Sequence, residues 1–189
     1  MIVKHADGLA ELLTMLFDVS CLEAGVLAIS RWPTELTAVV REVADGLRTA
    51  NGHDIRVIAT DGVDGEWDER RIRQVVTCLL SNAVKYSANG SSVTVAVTAD
   101  ERSATVSVRD EGIGLDEAER ARLFQRGFRA DAARKIAGRG LGLYLSRGIV
   151  GIHGGRMWAE SAGHGRGSTF SFSLPRHAED PATPTTSTT

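Results

Sequence analysis

The chain has 189 residues and a net charge of −2, with 42% hydrophobic and 24% charged residues, which is ordinary for a soluble globular protein and gives no reason to expect nucleic acid or a membrane surface as partner. Its two cysteines, Cys21 and Cys78, have no metal-type spacing and read as reduced thiols. No apolar run approaches the ~20 residues that cross a bilayer and no signal peptide opens the chain, so one domain with short extensions is expected.

Met1 to Glu23 predicts a helix, because Leu9, Leu12, Leu13, Leu16, Phe17 and Leu22 recur at helical spacing and Gly25 can end it. No partner helix follows, so it reads as half of a pair. Val26 to Ser30 alternates briefly as a strand does. Pro33 breaks that pattern, and Thr34 is placed to cap a helix from Glu35 to about Thr49. Asn51-Gly52 marks a turn before a half-buried strand at Ile55, Val57 and Ala59. Asp68 caps the next helix, which runs to about Ser87 with Ile72, Val75, Val76, Leu79, Leu80, Ala83 and Val84 as its buried stripe. After Ala88-Asn89-Gly90 come two alternating strands, Ser92 to Thr98 and Ala104 to Arg109. A helix from Leu141 to Ile152, a turn at His153-Gly154-Gly155 and strands Arg156 to Ser161 and Thr169 to Leu174 complete the pattern. The Pro/Thr-rich tail, residues 176–189, is expected to be disordered.

This order suits an α/β (α+β) two-layer sandwich, a mixed sheet with helices on one face. It excludes a P-loop or Rossmann domain, since no G-K-[ST] occurs and no fingerprint follows the first strand. Two glycine loops, D-E-G-I-G-L from Asp110 and G-R-G-L-G-L from Gly138, bracket a polar, basic segment. Glycines at a helix start admit a phosphate to free N–H donors and the positive dipole end, so the pair predicts a nucleotide site with a lid from Leu115 to Ala137. On the helix after Asp68, Cys78, Asn82, Lys85 and Tyr86 sit at i, i+4, i+7 and i+8. An Asn carbonyl suits Mg²⁺, Lys85 a phosphate, and Tyr86 offers a ring edge and a hydroxyl. Alone, the same stripe is also what a solvated helix face looks like.

L-L-S-N-A-V-K-Y-S, D-E-G-I-G-L, L-F-Q-R-G-F-R, G-R-G-L-G-L and G-R-G-S-T-F together resemble the asparagine, phenylalanine and three glycine boxes of sensor histidine kinases, in the right order. The resemblance runs from about Leu9 to Pro175 and implies the GHKL ATPase fold. By that resemblance Asp110 accepts a hydrogen bond from the adenine amino group, and Gly112 and Gly114 shape the pocket floor. Asn82 coordinates Mg²⁺, Lys85 contacts phosphate and Tyr86 lies against the nucleotide. Phe124 and Phe128 anchor the lid, and Arg129 and Arg134 reach the γ-phosphate. Gly138, Gly140 and Gly142 hold the phosphates with Leu141 packing nearby, and Thr169 of the last box joins the nucleotide-binding set. Positioned cations and donors are what phosphoryl transfer requires.

F-D-V-S-C-L-E-A-G is similar to the end of the second helix of the dimerisation and histidine-phosphotransfer hairpin. The implied division is a hairpin remnant at 1–24, an ATP-binding catalytic domain at 25–175 and the tail. No histidine here has acceptor context, His5 included, so the acceptor belongs to a helix absent from this chain. Two residues depart from the family's pattern. Cys78 stands where these kinases usually have Asn, and a thiol is a poor base and a poor Mg²⁺ ligand, which argues against efficient ATP hydrolysis. Arg139 replaces the commoner Thr and either adds a phosphate contact or faces solvent. The resemblance implies a cytoplasmic histidine protein kinase domain, its complete protein membrane-anchored or not. Its partners would be ATP or ADP, Mg²⁺, the hairpin with the acceptor histidine, and a response regulator. An anti-sigma-factor-type serine kinase and a non-catalytic ATP-binding module of the same fold are the rival readings.

Overall fold

The computed structural model describes residues 2–51, 54–60, 62–88, 91–130 and 139–177, with the side chains of 2–11 and 49–51 left aside. The elements are α1 (Ile2–Glu23), β1 (Trp32–Glu35), α2 (Leu36–Asn51), β2 (Asp54–Ala59), β3 (Asp64–Trp67), α3 (Glu69–Tyr86), β4 (Ser92–Ala99), β5 (Ser103–Asp110), α4 (Glu117–Arg122), α5 (Gly142–Ile152), β6 (Arg156–Glu160) and β7 (Ser168–Pro175).

Five strands form one mixed sheet in the order β2-β4-β5-β7-β6. Only β2 and β4 run parallel, the crossover between them being α3. One face of the sheet is apolar: Val93, Val95 and Val97 of β4, Ala104, Val106 and Val108 of β5, and Phe170, Phe172 and Leu174 of β7 are all buried. Apart from Arg109 the alternate residues are small and mostly hydroxylic, and the Ser107 and Ser171 hydroxyls meet at 2.9 Å on that other face. Helices α2, α3 and α5 cover the apolar face, with α3 in the middle. Its Ile72, Val75, Val76, Leu79 and Leu80 are fully buried, so truncating one of the leucines to Ala costs about 2–5 kcal/mol. Val84, expected in the same stripe, is only half-buried. The two-layer sandwich expected from the sequence is therefore the fold observed.

Several local expectations change. Val26 to Ser30 is not a strand. The strand there is β1, and it pairs antiparallel with the unanticipated β3 in a separate two-stranded sheet. Thr34 does not cap α2. Its hydroxyl lies by the Trp32 and Trp67 carbonyls, while the Glu35 carboxylate accepts the Thr37 and Ala38 N–H groups, so the helix starts at Leu36. Asp68 does cap α3, accepting the Arg71 N–H at 3.0 Å. The lid segment contains the short helix α4, closed by a capping box between Asp116 and Glu119. Arg176, assigned to the tail, belongs to the domain: its N–H donates to the Arg102 carbonyl and its side chain to those of Asp64 and Asp100. Residues 178–189 lie outside the described residues.

The C-terminal half of α1 docks on α5. Gly148 makes the close approach possible, for a Cβ there would lie 2.2 Å from Leu22 Cδ2. A buried ion pair fixes the docking: Arg71 Nη1 meets Asp18 Oδ2 at 2.6 Å, and Gln74 donates to the same oxygen. The opposite face, Leu13, Leu16 and Phe17, is exposed at 61%, 41% and 69%.

Candidate functional site

The site is built around the C-terminal half of α3, which touches both glycine loops. At its end, the Tyr86 carbonyl accepts the Ile113 N–H at 3.2 Å. Gly112 packs so closely that an added Cβ would lie 2.4 Å from the same Tyr86 oxygen and 2.7 Å from Asp110 Oδ1. Two turns earlier, an added Cβ on Gly142 would lie 2.9 Å from Cys78 Sγ. Eight residues of helix place these two contacts about 12 Å apart. Both loops therefore need glycine because α3 leaves no room for a side chain.

Asp110 ends β5 on the helix-covered face, in step with Val106 and Val108. It is buried, its Oδ1 accepts the Gly112 N–H at 2.8 Å, and burial holds its carboxyl above the ordinary range against the pull of its backbone donors at Gly112 and Ser168. Gly114 and the β6–β7 turn complete the loop. Gly114 has φ +67°, and a Cβ there would meet the Gly163 carbonyl at 2.1 Å. Gly165 N–H donates to the Ile113 carbonyl, and Gly167 N–H to that of Gly112.

Asn82, Lys85 and Tyr86 are all half-buried on α3. The structure also brings Arg129 to them. Desolvation first and the Arg129 charge second push the Lys85 ammonium below its usual value, and burial pushes the Tyr86 phenol up. Lys85 Nζ lies 5.1 Å from the Tyr86 ring centroid. Asn82 Nδ2 donates to Cys78 Sγ at 3.7 Å, which orients the side-chain carbonyl away from the thiol. Burial raises the Cys78 thiol despite hydrogen bonds with Ser146 and Asn82, so it stays a neutral packing group.

The start of α5 has no side-chain cap. Leu141 is its N-cap and offers no side-chain hydrogen bond, so the first N–H groups of an 11-residue helix are available to an anion. Gly140, at φ +69°, lies against the loop carrying Phe128, whose carbonyl would be 2.6 Å from an added Cβ. Phe124 and Phe128 pack on the core, with Arg147 and Arg122 over their rings at 5.7 and 4.8 Å. Arg139 is exposed, and Arg134 and Gly138 lie outside the described residues.

Thr169 is not brought to this group. It pairs with Arg109 and faces the open side of the sheet. The preceding Ser168 pairs with Asp110 and is buried beside it, and was missed by the sequence reading. Strand alternation was the available signal, but it needs the register of β5 against β7.

Residues 67–178 match the family model described as the histidine kinase-, DNA gyrase B- and HSP90-like ATPase. The chain belongs to this family. Among its relatives, the sensor histidine kinase WalK of Bacillus subtilis (strain 168) is 41% identical over 118 residues, 60% of this chain and 19% of WalK. The circadian input-output histidine kinase CikA of Synechococcus elongatus is 34% identical over 181 residues, 90% of this chain and 24% of CikA. The chain thus spans about a fifth to a quarter of these relatives. The crystal structure of full-length ShkA in complex with AMPPNP matches with a TM-score of 0.79 at 25% identity, over 91% of this chain and 36% of that one. In this member of the family the two glycine loops and the C-terminal half of α3 lie against one another.

Proposed function

We propose that this chain is the catalytic domain of a sensor histidine kinase, binding Mg-ATP and presenting its γ-phosphoryl group to a histidine on a separate helix. The observation that carries this is the pairing of a buried carboxylate, Asp110, with the uncapped start of α5 at opposite ends of one helical stripe. Asp110 accepts the adenine amino group at one end. The α5 N–H groups, Lys85 and Arg129 hold the phosphates at the other, and the masking of Lys85 by desolvation and Arg129 disappears once phosphate charge arrives. Arg134 and Gly138 complete the phosphate end in this reading.

The residues fit Mg²⁺. Asn82 offers a half-buried carbonyl oxygen already oriented by its hydrogen bond to Cys78, and phosphate oxygens and water fill the other positions of a bound ion. The ion would neutralise phosphate charge. Cys78 is no ligand and no base for water, so the site favours transfer over hydrolysis. In the transfer, the bond from the γ-phosphorus to its bridging oxygen breaks, a phosphorus–nitrogen bond forms on the imidazole, and ADP leaves.

Helix α1 supports the hairpin assignment for residues 1–24, since its outer face shows Leu13, Leu16 and Phe17 while Asp18 pins its inner face to α3. A response regulator would take the phosphoryl group next, in the cytoplasm. Incubation with labelled ATP and a supplied hairpin bearing a histidine tests the reading. Acid-labile, alkali-stable label should appear on the hairpin and not on this chain, and Arg129→Ala should slow its appearance by about tenfold or more. A hairpin that stays unlabelled, or label on serine, refutes it.

A further inference from the structure

Behind Asp110, on the sheet face that carries no helices, lies an open depression that meets the nucleotide group at Asp110 and Ser168. Arg109 of β5, Thr169 of β7 and Glu160 of β6 occupy neighbouring register positions there, while their sequence neighbours Val108, Phe170 and Ala159 are buried on the helix side. Arg120 of α4 and Arg166 of the β6–β7 turn close the other sides. The result is an open cup of about 390 Å³, floored by Asp110, Gly167 and Ser168.

Its chemistry is lopsided. Three guanidinium groups line it, those of Arg109, Arg120 and Arg166, and among the described residues none of them has a hydrogen bond or ion-pair partner. A guanidinium left this way around a concavity is a fork of donors shaped for a carboxylate or phosphate. Two acids stand against them, Asp110 in the floor and Glu160 on the rim, and Glu160 lines the cup without forming an ion pair. With the Thr169 hydroxyl, it offers an acceptor for an alcohol next to the anionic group.

We propose that this cup is a second ligand site, taking a small hydroxylated oxyanion such as a hydroxy acid or a sugar phosphate. Arg109, Arg120 and Arg166 hold the oxyanion, and Glu160 and Thr169 hold the hydroxyl. Arg109 and Thr169 reach the cup from the sheet face opposite the one that carries Asp110 and Ser168, so the cup adjoins the nucleotide group at those two residues while its three guanidinium groups lie outside that group.

Citrate, a hydroxylated tricarboxylate, is a suitable probe, with tricarballylate as the same tricarboxylate lacking the hydroxyl. Both are titrated into the whole chain and followed by amide chemical shifts. Citrate should give saturable shifts at Arg109, Gly167 and Thr169. The double variant Arg109→Ala/Arg166→Ala should weaken it by at least about tenfold, and Arg129→Ala, on the nucleotide side, should leave it unchanged. Glu160→Gln, which removes the rim's negative charge, should tighten tricarballylate by about threefold, a gain that misfolding cannot imitate. Shifts that drift without saturating, or that respond to Arg129→Ala and not to the double variant, overturn the site. Tricarballylate binding as tightly as citrate overturns the role of Glu160 and Thr169 in reading a hydroxyl.

Discussion

His153 shows how a single side chain ties the domain together. It is fully buried at the end of α5, where Nε2 accepts the Asp68 N–H at 3.0 Å and Nδ1 donates to the Ile149 carbonyl at 2.8 Å. Nε2 as acceptor requires a neutral ring, and desolvation holds the imidazole below its ordinary value of 6.5. In the unfolded chain the ring titrates near 6.5, so its stabilising contribution is complete above that pH. Below it, the unfolded state binds a proton that the folded state excludes, and stability falls by up to about 1.4 kcal/mol per pH unit. Urea titrations between about pH 8 and pH 5 should show this decline, and His153→Gln should flatten it. An unchanged slope in the variant would assign the pH dependence elsewhere. None of this was legible in the sequence, where His153 is simply the first residue of a His-Gly-Gly turn.

At the scale of elements, the sequence was most informative where periodicity was long. The α3 stripe, the alternation of β4 and β5 and the Asp68 cap all follow from side chains that repeat with the element's own period. What stayed hidden depended on pairing. D-G-E-W is too short to alternate visibly, so β3 exists only because β1 lies beside it, and the same ignorance of register hid that Ser168, rather than Thr169, lies beside Asp110. The lid is similar. Its start is more firmly held than its composition implied, for Leu115, Leu123 and Ala130 are buried and His164 lies 3.6 and 3.7 Å from the Asp116 and Glu119 carboxylates. Hydrogen exchange should therefore find α4 protected without nucleotide. Protection of residues 124–130 should rise from no nucleotide to ADP to a non-hydrolysable ATP analogue, as Arg129 gains phosphate partners. Equal protection in all three states would reduce the lid to a plain surface segment. The docking of α1 makes an independent prediction. Asp18→Ala leaves the Arg71 charge buried and should cost about 3–5 kcal/mol, with exchange rising first in α1. A variant as stable as the parent would show that the pair contributes nothing net.

Across the whole molecule, one helix organises two functions of the fold. The inner face of α3 fills the core between α2, α5 and the sheet, and its C-terminal half touches both the loop after Asp110 and the uncapped start of α5. The exposed row on α1 lies on a different face from the one pinned by Asp18, so a partner helix of the kind proposed would pair with it without disturbing the site. The central claim, that Asp110 reads an exocyclic amine, is tested most directly by calorimetric titration of ATP, ADP and GTP into the wild-type chain and into Asp110→Asn. Wild type should bind ATP and ADP and reject GTP, whose carbonyl would face a carboxylate. Asp110→Asn, which keeps the volume but loses the charge, should weaken ATP and ADP alike by about 1.5–3 kcal/mol. GTP binding as tightly as ATP, with Asp110→Asn indistinguishable from wild type, would contradict the account.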